Sequence, residues 1–377
     1  MSLALKSNNI ATNYLGNING IRGKQDWVAF FDFENDEYTT QKNGVRNTLT
    51  LAETITSNSA KNMAVKPQTM NKQGVRSYTT AATDVRRWKI GERFGVLIEN
   101  EQTNWFANSA APATQTISAI PAGSTLVASC IGAGSLVITG AGIDSIVVTE
   151  ATPKTITPQA QTGAVTLNVE VVGTLSHVQV VRCAGFACVH SPITTTASRP
   201  NSGNDQLEIK QELLSSLLNT DQPVTVLIES VPMHQTQDAR TMYNELRAAV
   251  ETATLVAGIG MNKTSDVRIA SRIVSLIKAD NTAQLSGSGN AQQSTLNAAS
   301  TQVAYLTATG AKLGLNGGDI YTAAAATNLN KLTRLRLAPA LSTPQVQQGG
   351  NCIITKLAIF NRQMSDAEIL EYSKSWN

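Results

Sequence analysis

Between residues 126 and 181 the chain alternates apolar and polar positions in short β-branched runs. Val165, Leu167, Val169 and Val171 alternate with Thr166, Asn168 and Glu170, the period of two that puts one face of a strand on a core and the other in water. The runs 126–131, 135–139, 145–149, 154–157, 164–172 and 176–181 are separated by Gly, Pro, Asn and Asp turns, the spacing of an antiparallel sandwich. Gly132-Ala133-Gly134 and Gly140-Ala141-Gly142 read as turns between these strands, and no helix follows either to make a phosphate loop.

The flanking regions are patterned differently. Trp27-Val-Ala-Phe-Phe-Asp-Phe33 is a strand dense enough in aromatics to be covered on both faces, with Trp27, Ala29, Phe31 and Phe33 facing one way. From Asn43 to Arg87 Asn, Thr, Lys and Gln dominate, which predicts extended, loop-rich structure ordered by its neighbours. Residues 94–98 are apolar and lead through a polar bend to Trp105-Phe106. Later strands are predicted at 224–231, 268–277, 291–297, 301–307, 311–315 and 332–337, with Asn316-Gly-Gly-Asp319 as a hairpin turn. Residues 238–252 carry helix formers with apolar Met242, Leu246, Ala249 and Val250, predicting an inserted helix, with a strand as the alternative. The chain closes with a strand at 353–360 and a helix opened by Ser365 and Glu368, a capping box. Ala367, Ile369, Leu370 and Tyr372 form that helix's apolar stripe. The fold class is therefore all-β, tandem antiparallel sandwiches in three parts: 1–107, 108–198 and 199–377.

Composition supports this and narrows the function. A chain of 377 residues has room for two or three cores. Charged residues make up only 15%, the net charge is +3, and no basic run exceeds Arg86-Arg87, so nucleic acid and membrane surfaces are not expected partners. No stretch approaches the roughly 18 apolar residues of a membrane span, and the N-terminus lacks a signal-peptide pattern, so synthesis in a cytoplasm is expected. Cys130, Cys183, Cys188 and Cys352 are too few for a disulfide scaffold and read as packed thiols. Cys183 and Cys188, with His177 and His190 nearby, lack a second ligand pair, so neither metal nor cofactor is expected.

Catalysis has weak support. Glycoside hydrolysis needs two facing carboxylates. Glu99, Glu101, Glu170, Glu208 and Glu229 lack the spacing that places acids together on one strand face, leaving Asp32-Phe-Glu34 as the nearest pair. His177, His190 and His234 have no Gly-x-Ser-x-Gly elbow beside them. For sugar binding, Asn316, Asp319 and Tyr321 sit in one turn, and Trp105 and Trp88 could be stacking platforms. The plainer reading makes the first two turn formers and the tryptophans core.

Three phrases carry a resemblance. Gly95-Val-Leu-Ile-Glu99 followed by Thr103-Asn104-Trp105-Phe106 and Asn108-Ser109 resembles a phrase that precedes lectin-like modules in bacteriophage virion proteins, which usually have aliphatic residues where Trp105-Phe106 stand. His177-Val-Gln-Val through Ser191-Pro-Ile-Thr-Thr-Thr-Ala-Ser-Arg-Pro200 is similar to the phrase that ends such modules, although Cys188-Val-His replaces a commoner acidic or aromatic stretch. Lys331-Leu-Thr-Arg-Leu-Arg-Leu337 and residues 352–376 resemble the C-terminal signature of concanavalin A-like (laminin-G-like) lectin domains. The resemblance implies a non-enzymatic tail-fibre, collar, head-fibre or decoration subunit with a carbohydrate-binding-type jelly roll at 108–198. It implies docking through the N-terminal region onto portal, collar, tail or capsid proteins. It further implies residence in the virion, homo-oligomers with a trimer favoured, and attachment to host-surface polysaccharide. A glycan-binding lectin proper and a polysaccharide depolymerase are the alternatives. On this reading, deletion of residues 1–90 leaves a folded remainder that no longer enters particles.

Overall fold

The aromatic run from Trp27 becomes an interior strand of a large sheet. In the computed structural model, residues 26–374 are described except 58, 60, 100–101, 123, 160–162, 184–190, 201, 204, 220–221, 233–243, 252–254, 263–269, 279–282, 293–298, 308–309, 316, 319, 325–333 and 338–351. The N-terminal strands are β1 (Trp27–Asp32), β2 (Glu37–Lys42), β3 (Val45–Leu49), β4 (Ile55–Ser57), β5 (Gln68–Met70), β6 (Arg76–Tyr78), β7 (Arg87–Ile90) and β8 (Arg93–Ile98). A middle group follows: β9 (Gln115–Ile120), β10 (Thr125–Gly140), β11 (Ile143–Thr149), β12 (Lys154–Ile156) and β13 (Val165–Cys183). The last group begins with β14 (Leu207–Ile209), β15 (Val224–Pro232), β16 (Asn244–Glu251), β17 (Leu255–Asn262), β18 (Ala270–Lys278) and β19 (Ala283–Gln292). It ends with β20 (Ser300–Leu306), β21 (Gly310–Leu315), β22 (Tyr321–Ala324), β23 (Arg334–Leu337) and β24 (Cys352–Phe360).

First and last groups build one sandwich. A ten-stranded sheet runs β22-β21-β20-β15-β24-β1-β2-β3, with β8 also on β24 and β7 on β8. A seven-stranded sheet runs β19-β18-β17-β16-β23-β14-β4. Ala29, Phe31, Val226, Ile228, Leu357 and Ile359 from the first pack with Ile55, Leu207, Ile209, Leu335 and Leu337 from the second. Every residue of β24 except Lys356 is buried, because both faces are covered. Its back face, with Trp27, Phe30, Val303 and Tyr305, is closed by Met364, Ile369 and Tyr372 at the C-terminal helix Asp366–Lys374. That helix starts as the sequence predicts: the Ser365 N–H donates to Glu368 Oε2 (2.8 Å) and the Glu368 N–H to Ser365 Oγ (3.3 Å).

The weakly patterned segment 43–87 is a series of short strands and turns that take their order from distant partners, as β4 does on β14. One aromatic changes face. Trp27 joins Phe30 on the back of the sheet, because the β1–β24 register shifts between Trp27 and Ala29 and that bulge breaks the alternation.

The middle group forms its own small sandwich from two long bent strands. The runs 126–131 and 135–139 are one strand, β10, and 164–172 and 176–181 are one strand, β13. They pair antiparallel along almost their whole length, with a register shift between Ile131 and Gly132. Gly132 and Gly134 are therefore not a turn. They sit inside β10 where the two backbones press together, and a Cβ on Gly134 would lie 2.3 Å from the Val172 carbonyl oxygen. The bulge also resets the alternation, so Val165, Leu167 and Val169 face the core before it and Val178 and Val180 after it. Gly140-Ala141-Gly142 is the turn into β11, as read.

The inserted helix is likewise replaced. Residues 244–251 are strand β16, hydrogen-bonded between β17 and β23. Helix formers there yield to ladder pairing on both sides, since propensity is the weaker term; the rest of 238–252 lies outside the described residues. Cys130 and Cys352 are buried, and burial pushes the Cys130 thiol up to about 11. The Cys183 side chain and Cys188 lie outside the described residues. No described helix is long and apolar enough to cross a membrane.

Candidate functional site

The chain leaves the large sandwich after β8, makes the small one, and returns before β14, so two segments form a neck. They run side by side: the Asp205 N–H donates to Glu99 O (3.0 Å) and the Ser202 N–H to Gln102 O (2.8 Å). Arg86 arrives beside them because β7 pairs with β8, and Leu97 N–H donates to Arg86 O (2.9 Å). Its guanidinium lies 2.6 Å from Glu99 Oε2 and 2.5 Å from Asp205 Oδ2, and donates to Ser191 Oγ (2.9 Å). Ser191 in turn donates its hydroxyl to Glu99 Oε2 (2.6 Å). Lys61 Nζ donates to Gly203 O (2.9 Å) and lies 3.3 Å from Asp205 Oδ2.

All five side chains are buried, and the two cations balance the two carboxylates. Burial opposes the charge on Arg86, but Asp205 and Glu99 outweigh it and hold the guanidinium above its ordinary range. For Lys61 burial wins, drawing the ammonium down to about 8 despite Asp205.

Asn104 ties the upper end of the neck. Its amide nitrogen donates to Val178 O and Ile193 O (3.0 Å each), and its oxygen accepts from Phe106 N (3.1 Å) and Val180 N (2.9 Å). Ser109 Oγ donates to Ile193 O (3.2 Å) and accepts from Thr195 N (2.8 Å). Substituting Asn104→Leu removes four bonds from buried backbone groups, each worth about 1–3 kcal/mol when left unmade. The expected loss is at least about 3 kcal/mol, read as a lower urea midpoint; a loss under about 1 kcal/mol would contradict this role.

His177 faces the same junction, 7% exposed, bonded to Gln179 with its Nε2 unpartnered. Burial, with Arg76 nearby, draws its pKa down to about 4. Unfolded histidine titrates near 6.5, so the unfolded chain binds the extra proton first on acidification. Stability is complete above about pH 6.5 and falls by roughly 3 kcal/mol as pH drops to about 4. Denaturant titrations across that range should show the decline, and His177→Gln should flatten it.

Most of the described carboxylates singled out in the sequence are engaged structurally. Asp32 caps its turn, accepting the N–H groups of Glu34 and Asn35 (3.0 Å each). Glu34 is bound by Arg93 Nε (2.5 Å), which also binds Glu229, and Thr355 Oγ1 donates to Glu229 (2.7 Å). Arg334 grips Glu208 with two bonds (2.8 and 2.6 Å). Glu170 is exposed on the small sandwich. Glu101, His190, His234, Asn316 and Asp319 lie outside the described residues. Tyr321 opens β22 opposite Leu313, so β21 and β22 form the hairpin read from Asn316-Gly-Gly-Asp319. Trp105 is half-buried with the Arg199 guanidinium 5.6 Å from its ring centroid, and Trp88 is buried with Met70, Leu97, Val231 and Ile353.

One concavity escaped the sequence reading. A groove of about 600 Å³ lies among Trp27, Gln41, Asn43, Leu218, Asn219 and Asn361. Asn43 sits in the β2–β3 turn at a left-handed φ of +52°, which asparagine tolerates. The Asn361 amide is spent on Asn219 O (3.1 Å) and Pro223 O (3.2 Å).

No protein-family model and no curated protein matches the chain. Solved structures overlap it in part. The carbohydrate-binding domain CBM40 of a Ruminococcus gnavus IT-sialidase, bound to α2,3-sialyllactose, is 12% identical, covering 41% of this chain and 83% of its own, at a TM-score of 0.29. The botulinum neurotoxin serotype G binding domain is 11% identical over 51% of this chain at 0.29, and the chain spans about half (47%) of that domain's length. Domains LG4-5 of the mouse laminin α1 chain are 10% identical, covering 76% of this chain and 99% of theirs, at 0.23.

Proposed function

We propose that this chain is a non-enzymatic structural subunit of a bacteriophage virion, displaying β-sandwich domains toward the host surface. The observation that carries the proposal is the neck. The phrases 95–109 and 191–196, which resemble the boundaries of modules in phage virion proteins, are the segments that rivet the small sandwich to the large one. Gly95 belongs to the same device: a Cβ there would lie 2.2 Å from Ile354 O, so β8 can meet β24 only through glycine. A joint whose buried charges balance and whose segments are tied by side-chain hydrogen bonds suits a projecting part that must hold its shape. Among the acidic candidates, Glu99 is held by Arg86, Glu34 and Glu229 by Arg93, and Glu208 by Arg334, which favours scaffold over hydrolysis. The N-terminal region docks on portal, collar, tail or capsid proteins, and the copies associate, as a trimer in the favoured form.

A cryo-EM map of the particle carrying this chain should contain density for the two joined sandwiches; particles without it would overturn the virion reading. Polysaccharide turnover by the purified chain, abolished by Asp32→Asn or Glu34→Gln, would overturn the non-enzymatic one. A glycan-binding role is the second reading, favoured by the amide-lined groove. A glycan array with purified protein tests it: binding lost in Asn219→Ala or Asn43→Ala supports the groove, and a blank array removes it.

A further inference from the structure

Six large apolar side chains are exposed among the described residues, and five of them fall on two patches. The first patch is the β5–β6 hairpin and the short 3-10 turn Met63–Val65 before it. Met63, Val75 (61% exposed) and Tyr78 (58%) project there. Lys66, Lys72 and Arg76 surround them, all exposed, and the sequence has no Asp or Glu from residue 54 to residue 83. None of the three is ion-paired among the described residues. Lys66 lies over the Tyr78 ring (5.9 Å), Arg76 over Trp88 (5.8 Å), and Lys72 feels Asp36 only at longer range, since Arg87 holds that carboxylate. The hairpin is stiff. The Val75 N–H donates to the Asn71 side chain (2.9 Å) and the Gly74 N–H to Asn71 O (2.9 Å), with Gly74 in the left-handed region.

The second patch is the outer face of the small sandwich. Val137 pairs with Val147 on one side and Glu170 on the other, and Ser135 pairs with Val172. These side chains share the face that points away from the core, with Val147 53% and Val172 44% exposed. Between residues 107 and 181 the charged residues are Asp144, Glu150 and Glu170 against Lys154 alone.

The hairpin combines exposed apolar side chains with positive charge alone; the outer face combines them with Glu170, in a module that carries three carboxylates to one lysine. Two hairpins, or two outer faces, would repel each other; a hairpin on a face would not. We propose that the basic hairpin of one copy docks on the acidic outer face of the small sandwich in the next copy. The contact joins two different surfaces, so it is head-to-tail, and repetition gives a ring where the rotation closes and a filament where it does not. It rests on the oligomeric reading above and adds to it which surfaces meet.

The test is sedimentation of the full chain at low and high salt. Lys72→Glu with Arg76→Glu should weaken self-association about ten-fold or more, as should Glu150→Lys with Glu170→Lys; all four changes in one chain should restore it. Both patches are exposed, so each variant should remain folded, with a cooperative unfolding transition when dilute enough to be monomeric. Val75→Cys paired with Val172→Cys should give a disulfide between copies under oxidation. A wild-type chain that stays monomeric overturns the contact and leaves the virion reading intact, since incorporation is scored separately on particles. Oligomers indifferent to both reversals show that copies meet elsewhere. Sensitivity to the hairpin reversal alone assigns the hairpin to a different partner. Both of these outcomes also overturn the contact.

Discussion

A chain lacking residues 1–90 should fail to form the large sandwich, emerging insoluble or without fixed tertiary packing. This reverses the expectation from sequence, which treated that region as a detachable docking arm. β1 lies between β24 and β2, so its removal leaves the central strand β24 unpaired from Lys356 to Phe360 on that side. It also takes Ala29, Phe31 and Phe33 from between the sheets and Trp27 and Phe30 from the back face. Four buried aromatics at about 1.5–3 kcal/mol each come to roughly 6–12 kcal/mol, comparable to the whole stability of a typical domain. The exposed edge then invites association with other chains. Soluble yield and near-UV circular dichroism check the outcome. A soluble remainder with a cooperative unfolding transition would show that the N-terminal strands are dispensable.

Replacing Arg86 should be the most damaging single change at the neck. Arg86→Met removes the cation that bridges Glu99 and Asp205, leaving two buried carboxylates with Lys61 as their remaining cation. Breaking a buried pair from one side costs about 3–5 kcal/mol, because the abandoned charge has lost its water and gained nothing in return. The same principle predicts recovery. Combining Arg86→Met with Glu99→Gln and Asp205→Asn removes the stranded charges and should restore a good part of the loss. Urea midpoints for the single and triple variants decide this. A single variant within about 1 kcal/mol of wild type would show that the network is solvated in solution.

Local signals in the sequence survived in the structure where their partners were also local. The capping box at Ser365 and Glu368 needed only three residues of separation. The hairpin across Asn316-Gly-Gly-Asp319 and the run of apolar residues in β24 were legible for the same reason. The helix expected over 238–252 failed because its residues become strand β16 through pairing with β17 and with β23, far along the chain. Asp32 and Glu34 looked like a possible acid pair by spacing, yet one caps a turn and the other binds Arg93, 59 residues away.

The sequence by itself determined that this is a β protein with two kinds of sandwich texture and that its charge is sparse. Those properties follow from alternation, turn residues and composition, which act over a few neighbours. Tertiary structure alone decided that the first strands complete the last domain, that single-residue bulges in β1 and between β10 and β13 reset which side chains face inward, and that the recognisable phrases serve as a joint. The reason is distance along the chain: Arg86 meets Asp205 across 119 residues and Glu99 meets Ser191 across 92, and no local pattern encodes a partner so remote.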